Sequence, residues 1–292
     1  MLKTLYLLLY VAFLSGQSTT IPESPDYVCP MDPEIRSSTP GTCWRCGMKL
    51  TVGVADPVEY GLNLRLRPQT VRVNQTVELT FSVTGPNTSN PVRCFEVVHE
   101  RPFHLFIFSE DLNYFVHEHP EAAPDDSFRF KTRFSKPGMY RVLCDFFPRG
   151  GTPQLLARTV FVSTAGGMPV PLETVRLTPD VSAKHALNVD VDLVTEPAVP
   201  IAGMKTQMLF RLRPAEGIEP YLGAWGHMLI VSEDLVDVMH HHPFLADGGP
   251  RVQFNVIFPR AQTYRVWVQF QREKIVNTVA FSVRVSSLAS RK

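Results

Sequence analysis

An excess of charge of either sign is missing from this 292-residue sequence, because 29 Lys and Arg side chains stand against 28 Asp and Glu, and neither sign forms a long run. Such a surface has no electrostatic footprint for nucleic acid or for an anionic membrane, so we expect neither as a partner. The GxSxG and HExxH signatures of serine and zinc hydrolases are also absent, which argues against those enzyme classes.

Long hydrophobic runs are missing after the first residues. Lys3 precedes an apolar run, 5–14, that is too short to span a bilayer, and small residues follow it. This pattern predicts a cleaved signal peptide at 1–18 and a periplasmic or secreted protein without membrane insertion after cleavage. Gln17 occupies the position at which a lipobox would place cysteine, so we do not expect a lipid anchor.

Patterns typical of helices are missing too, and 25 prolines argue against helices of three turns or more. Short alternating runs such as VELTFSV and YRVLCDF are separated by turn sequences such as TGPNTSNP and SKPG. The sequence therefore predicts an all-β protein built from immunoglobulin-like or cupredoxin-like β-sandwiches. We expect Tyr140 and Tyr264, each after a turn, to fix a corner of such a sandwich.

The sequence repeats itself. EDLNYFVHEHP at 110–120 returns as EDLVDVMHHHP at 233–243, a shift of 123 residues, and YRVLCDF at 140–146 returns as YRVWVQF at 264–270, a shift of 124. The repeat predicts two copies of one sandwich domain, 57–164 and 170–287, with STAGGMPVP as the linker. The matching residues are His104 and His227, Asp111 and Asp234, His117 and His240, His119 and His242, and Pro120 and Pro243.

Three histidines of the first copy are predicted to meet. If HLFIFS and LNYFVHEHP form a hairpin whose turn centres on Glu110 and Asp111 between them, His104 lies opposite His117 with Cβ atoms about 5 Å apart. His119 is two residues further along and emerges on the same face. The second copy predicts the same arrangement for His227, His240 and His242, while His241 points to the opposite face.

The face that carries these histidines is otherwise apolar, so we expect the imidazoles at the rim of an apolar core. Close, partly desolvated imidazoles repel one another when protonated and are best satisfied as neutral ligands of one cation. Three neutral imidazoles suit copper or zinc, not calcium or magnesium. The alternative is a set of rim histidines that are hydrogen-bonded to the backbone or solvated. The apolar neighbours are Phe106, Phe108 and Phe115 in the first copy and Leu229, Val231 and Val238 in the second.

Cysteines crowd into one segment near the start, YVCPMDPEIRSSTPGTCWRCGMKL at 27–50. Cys29 lies in a CPM turn, and Cys43 and Cys46 form a CxxC turn that points two sulfurs at one ion. Met31 and Met48 are spaced to add thioethers, which favour Cu(I). A structural zinc knuckle and a disulfide between two of the thiols are the alternatives.

This segment resembles the small heavy-metal-binding domain attached to copper and silver efflux proteins and to P-type copper ATPases, with its pattern YxCPMHPE…PGxCPxCGMxL. Asp32 stands where the family has His, and Trp44 where it has Pro. The resemblance implies a zinc-ribbon-like head at 27–52 that binds copper ions, with zinc or silver as alternatives, and a component of a metal efflux transporter as partner. The sandwich repeats resemble exported copper-associated domains that carry HLxxxxxDLxxFxHxHP. The matching head positions are Tyr27, Cys29, Pro30, Met31, Pro33, Glu34, Pro40, Gly41, Cys43, Cys46, Gly47, Met48 and Leu50.

Two further cysteines, Cys94 and Cys144, occur only in the first copy. We expect them to form a disulfide in an exported domain, with thiolate ligation as the alternative. A blue-copper site is disfavoured, because no histidine follows Cys144 until His185.

These patterns favour an exported metal carrier over a catalyst. The alternatives are an adhesion or scaffold protein with structural metal, and a three-histidine metalloenzyme that activates water or oxygen. No carboxylate is placed as a base near the predicted site, since Glu118 is expected to face away from it.

Overall fold

The computed structural model describes residues 27–31, 35–52, 59–172, 175–246 and 248–288, and the predicted signal peptide lies outside them. These residues form strands, turns and bends but no helix, which confirms the all-β prediction. Accordingly, the described part of the chain offers no helix with the length and apolarity needed to cross a membrane. Two compact units are present, 1–55 and 56–292.

The first unit, the head, contains a small three-stranded sheet. Its strands are β1 (Tyr27–Val28), β2 (Arg36–Ser37) and β3 (Thr51–Val52), and β1 pairs antiparallel with both of the others. Cys29, Ile35, Cys43 and Leu50 form its buried cluster. Cysteines therefore make up half of this buried cluster.

The second unit begins with the first sandwich. A four-stranded sheet in the order β4-β6-β10-β9 faces a five-stranded sheet in the order β5-β12-β11-β7-β8. Apolar side chains alternate along the strands and fill the core between the two sheets. The strands are β4 (Gly61–Arg67), β5 (Val71–Arg72), β6 (Thr76–Thr84), β7 (Phe103–Ser109), β8 (Phe115–Glu118), β9 (Glu121–Ala122), β10 (Phe128–Arg133), β11 (Gly138–Phe146) and β12 (Gln154–Ser163).

The second sandwich repeats this plan. One sheet has the order β13-β14-β15-β19, and in the other β20 pairs with β16, β17 and β21 while β17 also pairs with β18. The strands are β13 (Lys184–His185), β14 (Asp190–Glu196), β15 (Lys205–Arg213), β16 (Ile218–Glu219), β17 (His227–Ser232), β18 (Val238–His241), β19 (Arg251–Ile257), β20 (Thr263–Arg272) and β21 (Ile275–Arg284).

The two sandwiches pack against each other through their larger sheets. Every residue of β7 and of β17 is buried, because one face of each strand covers its own core and the other face meets the neighbouring sandwich. Trp267 stacks on Phe115 across this boundary with ring centroids 4.8 Å apart. Aromatic pairs of this kind add to the free energy of apolar burial. The interface cluster consists of Phe106, Phe108, Leu112, Leu143, Leu229, Val231 and Trp267.

The repeated SEDL sequence builds the turn of each histidine hairpin. The hydroxyl of Ser109 donates to Asp111, and that of Ser232 donates to Asp234 at 2.6 Å. The leucine that follows adopts a left-handed conformation, with φ of 54° at Leu112 and 61° at Leu235. Side-chain hydrogen bonds to the local backbone stabilise such turns, which explains why these letters recur with the histidines.

Cys94 and Cys144 are free thiols, so the disulfide prediction is wrong. Cys144 lies on the face of β11 that points into the first sandwich core, whereas Cys94 is exposed on a loop. Burial raises the pKa of Cys144 well above its usual value. Cys144 is therefore a small apolar core residue and not a ligand.

Tyr140 and Tyr264 each fix a corner of their sandwich, as predicted. The Tyr140 hydroxyl donates to the carbonyl of Lys136 at 2.9 Å, and the Tyr264 hydroxyl lies 3.0 Å from the carbonyl of Arg260. Tyr264 also contacts Asp237 at 2.9 Å. The hydroxyl ties the turn before the late strand to the core in each sandwich.

We expect Tyr140→Phe to lower the free energy of unfolding by about 1 kcal/mol, since the ring remains buried and only the hydrogen bond to Lys136 is lost. Tyr264→Phe should cost more, because its hydroxyl contacts Asp237 as well as Arg260. Urea unfolding of both variants measures these differences. Equal stability of Tyr140→Phe and the parent chain would show that this corner does not depend on the hydroxyl.

Candidate metal centre

Three imidazoles of the first sandwich meet at the open end of the β7-β8 hairpin. The Nδ1 atom of His104 lies 3.4 Å from Nε2 of His117 and 3.2 Å from Nε2 of His119. Three nitrogens bound to one ion at about 2.0–2.1 Å in tetrahedral geometry are about 3.3–3.4 Å apart. The spacing of these ring nitrogens therefore fits a shared ion, and we call these residues the first histidine set.

The second sandwich repeats the arrangement. Nε2 of His242 lies 3.1 Å from Nδ1 of His227, and one ring nitrogen from each of these two and from His240 lies within 4.8 Å of the others. His227, His240 and His242 form the second histidine set. His241 pairs with Met228, a core residue of the second sandwich, and does not join them.

The hairpin register differs from the predicted one by two residues. His117 pairs with Phe106, not with His104, because the turn centres on Asp111 and Leu112, one residue later than expected. In the second hairpin His240 pairs with Leu229 in the same way. A shift of two residues keeps every side chain on its face, so the imidazoles converge although the predicted pairing is wrong.

Hydrogen bonds set which nitrogen of each ring faces the shared point. The carbonyl of Val98 accepts from Nε2 of His104 at 2.9 Å, and that of Tyr221 accepts from Nε2 of His227 at 2.8 Å. A carbonyl oxygen only accepts, so both Nδ1 atoms carry lone pairs directed at the neighbouring imidazoles. This arrangement is the usual way in which a second ring nitrogen orients a metal-ligating histidine.

His117 and His240 each donate a hydrogen bond to a residue of the opposite sandwich. Nδ1 of His117 donates to Oε1 of Gln269 at 2.7 Å, and Nδ1 of His240 donates to Oδ2 of Asp145 at 2.6 Å. The Nε2 atom of His240 is buried and has no hydrogen-bond partner. An unsatisfied buried ring nitrogen is costly, and a cation would satisfy it.

The two histidine sets lie side by side at the sandwich interface. Ring centroids of His117 and His227 are 5.5 Å apart, and those of His104 and His240 are 6.1 Å apart. These separations between the sets resemble the 5.6 Å between His104 and His117 within one set. The interface therefore gathers six imidazoles into one region.

Burial favours the neutral form of five of these imidazoles. It is the main cause that lowers the pKa of His104 and places the pKa of His117, His227 and His242 well below the usual value. Burial and the neighbouring positive groups lower the pKa of His119 to about 3. Neutral imidazoles at pH 7 have lone pairs available for a metal ion.

The head brings its three cysteines together. The sulfurs of Cys29 and Cys46 lie 3.5 Å apart, beyond the about 2.05 Å of a disulfide, and one sulfur from each of Cys29, Cys43 and Cys46 lies within 4.8 Å of the others. Sulfurs bound to one tetrahedral zinc ion at about 2.3 Å would be about 3.8 Å apart. Burial, together with the neighbouring thiols, raises the pKa of Cys46, so binding a cation would release protons.

The CxxC turn has the geometry of a metal knuckle. The amide of Gly47 donates to the carbonyl of Cys43 at 2.8 Å with a φ of 74° at Gly47, which favours glycine. Met31 packs against the cysteine cluster. Met48 is buried, and its carbonyl accepts from the amide of Cys43 at 2.7 Å. Asp32, which replaces the family histidine, lies outside the described residues.

Comparison with protein families gives two matches. A model described as a domain of unknown function (DUF8832) matches residues 56–164 and again 181–287, which together exceed half of the chain. The chain belongs to the DUF8832 family. The heavy metal binding domain model matches residues 27–51. The predicted arrangement of a heavy-metal-binding head followed by two repeats is therefore confirmed.

The solved structures that match this DUF8832 protein share little sequence with it. They include a bacterial ice-binding adhesin (12% identity, TM-score 0.25, 80% of this chain and 66% of that chain), fibronectin(III)-like modules of CbhA from Clostridium thermocellum (10%, 0.22, 79% and 98%) and the Escherichia coli adhesin FdeC (13%, 0.26, 82% and 71%). TM-scores this low support no conclusion about function. A comparison with curated proteins gives no match.

Three residues near the histidine sets of this DUF8832 protein were missed by the sequence analysis. Asp145 and Gln269 accept from His240 and His117, and His99 packs against His242 with ring centroids 3.7 Å apart and ring planes tilted by 31°. One signal was available, since Asp145 and Gln269 occupy matching positions of YRVLCDF and YRVWVQF. Their role depends on contacts between the sandwiches, which the repeat alone does not indicate.

Proposed function

We propose that this chain is an exported protein that binds soft transition metal ions, with copper as the preferred ion, and that serves metal sequestration, trafficking or efflux. The proposal has two supports: a heavy metal binding head with three clustered cysteines, and two histidine sets in the sandwiches. Export is proposed from the pattern of residues 1–18. The metal ion is cargo in this proposal, and no catalysed reaction is assigned.

The observation that carries the proposal is that ring nitrogens of neighbouring histidines direct their lone pairs at one another. In the second histidine set, Asp145 and the Tyr221 carbonyl take the N–H groups of His240 and His227, so the other nitrogen of each ring can only accept. His242 can donate to His227, but Nε2 of His240 remains buried without a partner. A metal ion is the group that accepts electron pairs from all three nitrogens at once.

The donor set supports copper as the preferred ion. Imidazole binds copper and zinc well and binds calcium poorly, and divalent copper exceeds divalent zinc in affinity for a given site. Thiolates in the head suit Cu(I), Ag(I) and zinc. A chain that offers both donor types in buried clusters is equipped for both oxidation states of copper.

Metal content after equilibration with Cu(II), Zn(II) or Ag(I) and desalting tests the proposal. We expect the purified chain to retain one ion for each of the three clusters. A full-length variant with Cys29→Ser, Cys43→Ser and Cys46→Ser should lose one ion and keep the two bound by histidines. A chain lacking 27–52 should behave in the same way. Competition between Cu(II) and Zn(II) should leave copper bound to the histidines.

The proposal fails if the parent chain retains none of these ions after desalting. Retention of zinc in preference to copper would overturn the assignment of copper alone. Calcium at the same concentration is the matched negative control, because it prefers oxygen ligands.

A further inference from the structure

The two histidine sets differ in the group that accepts a hydrogen bond from one ligand histidine, His117 in the first set and His240 in the second. Asp145 accepts from Nδ1 of His240 at 2.6 Å, whereas Gln269 accepts from Nδ1 of His117 at 2.7 Å. Gln269 is itself oriented by its amide nitrogen, which donates to Thr278 at 2.9 Å. The geometry of the two supports is thus nearly the same, but one carries a negative charge and the other is neutral.

Asp145 is an acidic residue, and its Oδ2 accepts a hydrogen bond from Nδ1 of His240. Asp145 also lies beside His104 across the β7-β11 ladder, so its charge is near both sets. Only His240, however, donates a hydrogen bond to it among the described imidazoles.

A second difference lies in the loops that precede β7 and β17. His99 of the first sandwich has a φ of 48° and packs against His242 with tilted rings, and its ring centroid lies 5.5 Å from that of His227. The matching residue of the second sandwich, 123 positions later, is Leu222, with a φ of 50°. The loops share a backbone conformation, but among the described residues a seventh imidazole packs only on the second histidine set.

The first of these differences favours a cation at the second set. A carboxylate that accepts from a ligand imidazole makes the other ring nitrogen a stronger electron-pair donor. The same carboxylate offsets part of the charge of a divalent ion in a buried site, where charges interact more strongly than in water. A glutamine oxygen orients its imidazole without supplying a charge.

We propose that Asp145 makes the two histidine sites unequal, so that a divalent ion fills the second histidine set first and the first set binds more weakly. Asp145 is a positioning residue in this proposal, because it acts on the ion through His240. The inference rests on the proposed metal-binding function and adds an order of filling and the side chain that sets it.

The test is a Zn(II) titration of the full chain carrying Cys29→Ser, Cys43→Ser and Cys46→Ser. Binding is measured by calorimetry or by competition with a chromophoric chelator. We expect two resolved steps. His242→Ala should remove the tight step, and His119→Ala should remove the weak one. Asp145→Asn keeps the size of the side chain and an oxygen that can accept from His240, and should weaken the tight step by roughly 10- to 100-fold.

A gain-of-charge variant keeps the inference testable if Asp145→Asn does not fold. Gln269→Glu places a carboxylate beside His117 and should tighten the weak step by about 10-fold. Two equal steps in the parent chain, a tight step lost in His119→Ala, or unchanged affinities in both charge variants would each overturn the inference while leaving metal binding intact. Absence of any Zn(II) binding by this cysteine-free chain would remove both histidine sites from the proposed function and leave only binding by the head.

Discussion

A chain carrying both His104→Ala and His227→Ala should lose the two metal ions bound by the sandwiches and retain the one bound by the head. Nδ1 of His104 lies within 3.4 Å of a nitrogen of both other histidines in its set, and Nδ1 of His227 lies 3.1 Å from Nε2 of His242. Removing one of three ligands should weaken binding by more than roughly 100-fold, the upper end of the loss seen when only an outer partner of a ligand is removed.

Metal analysis after desalting measures this loss, and each single variant should lose one ion. His185→Ala is the matched control, because His185 is exposed, hydrogen-bonded to Asp190 and outside both sets. Retention of both sandwich-bound ions by the double variant would contradict the assignment of these residues as ligands. Loss of an ion in His185→Ala would show that the method reports unspecific imidazole binding.

Zn(II) should raise the unfolding temperature of the sandwich unit by roughly 10 °C. An ion present at about 1,000 times its dissociation constant stabilises the folded state by about 4 kcal/mol, and for a unit of about this size each kcal/mol corresponds to about 2–4 °C. The effect should include docking of the sandwiches, because Gln269 and Asp145 hold ligand histidines of the opposite sandwich.

Thermal unfolding followed by circular dichroism, with Zn(II) or with a chelator, measures this shift. The head cysteines are best replaced by serine for this experiment, so that the signal comes from the sandwiches. Calcium should leave the unfolding temperature unchanged, and the His104→Ala/His227→Ala variant should lose the Zn(II) effect. An equal rise in that variant would place the stabilising ion elsewhere.

The prediction that the three histidines share one face of the hairpin was correct, although the predicted strand register was wrong. Placing the turn at Glu110 and Asp111 gave the wrong partner for His104, because the left-handed Leu112 moves the turn centre by one residue. Side chains alternate along a strand, so the resulting shift of two residues preserves the face. The disulfide prediction failed because pairing of cysteines depends on where their side chains point, and Cys144 points into the core.

By itself, the sequence determined the all-β class, the repeat, the cysteine head and the membership of each histidine set, because these follow from local spacing and from the alternation of side chains along strands. Only the tertiary structure decided that the sheet faces carrying the histidines pack against each other and make the two sets neighbours. Asp145 then accepts a hydrogen bond from His240 of the second set, and Gln269 accepts one from His117 of the first. The physical reason is that a strand's second face can meet water, another sheet or another domain, and the choice depends on complementary surfaces that lie more than a hundred residues apart in the chain.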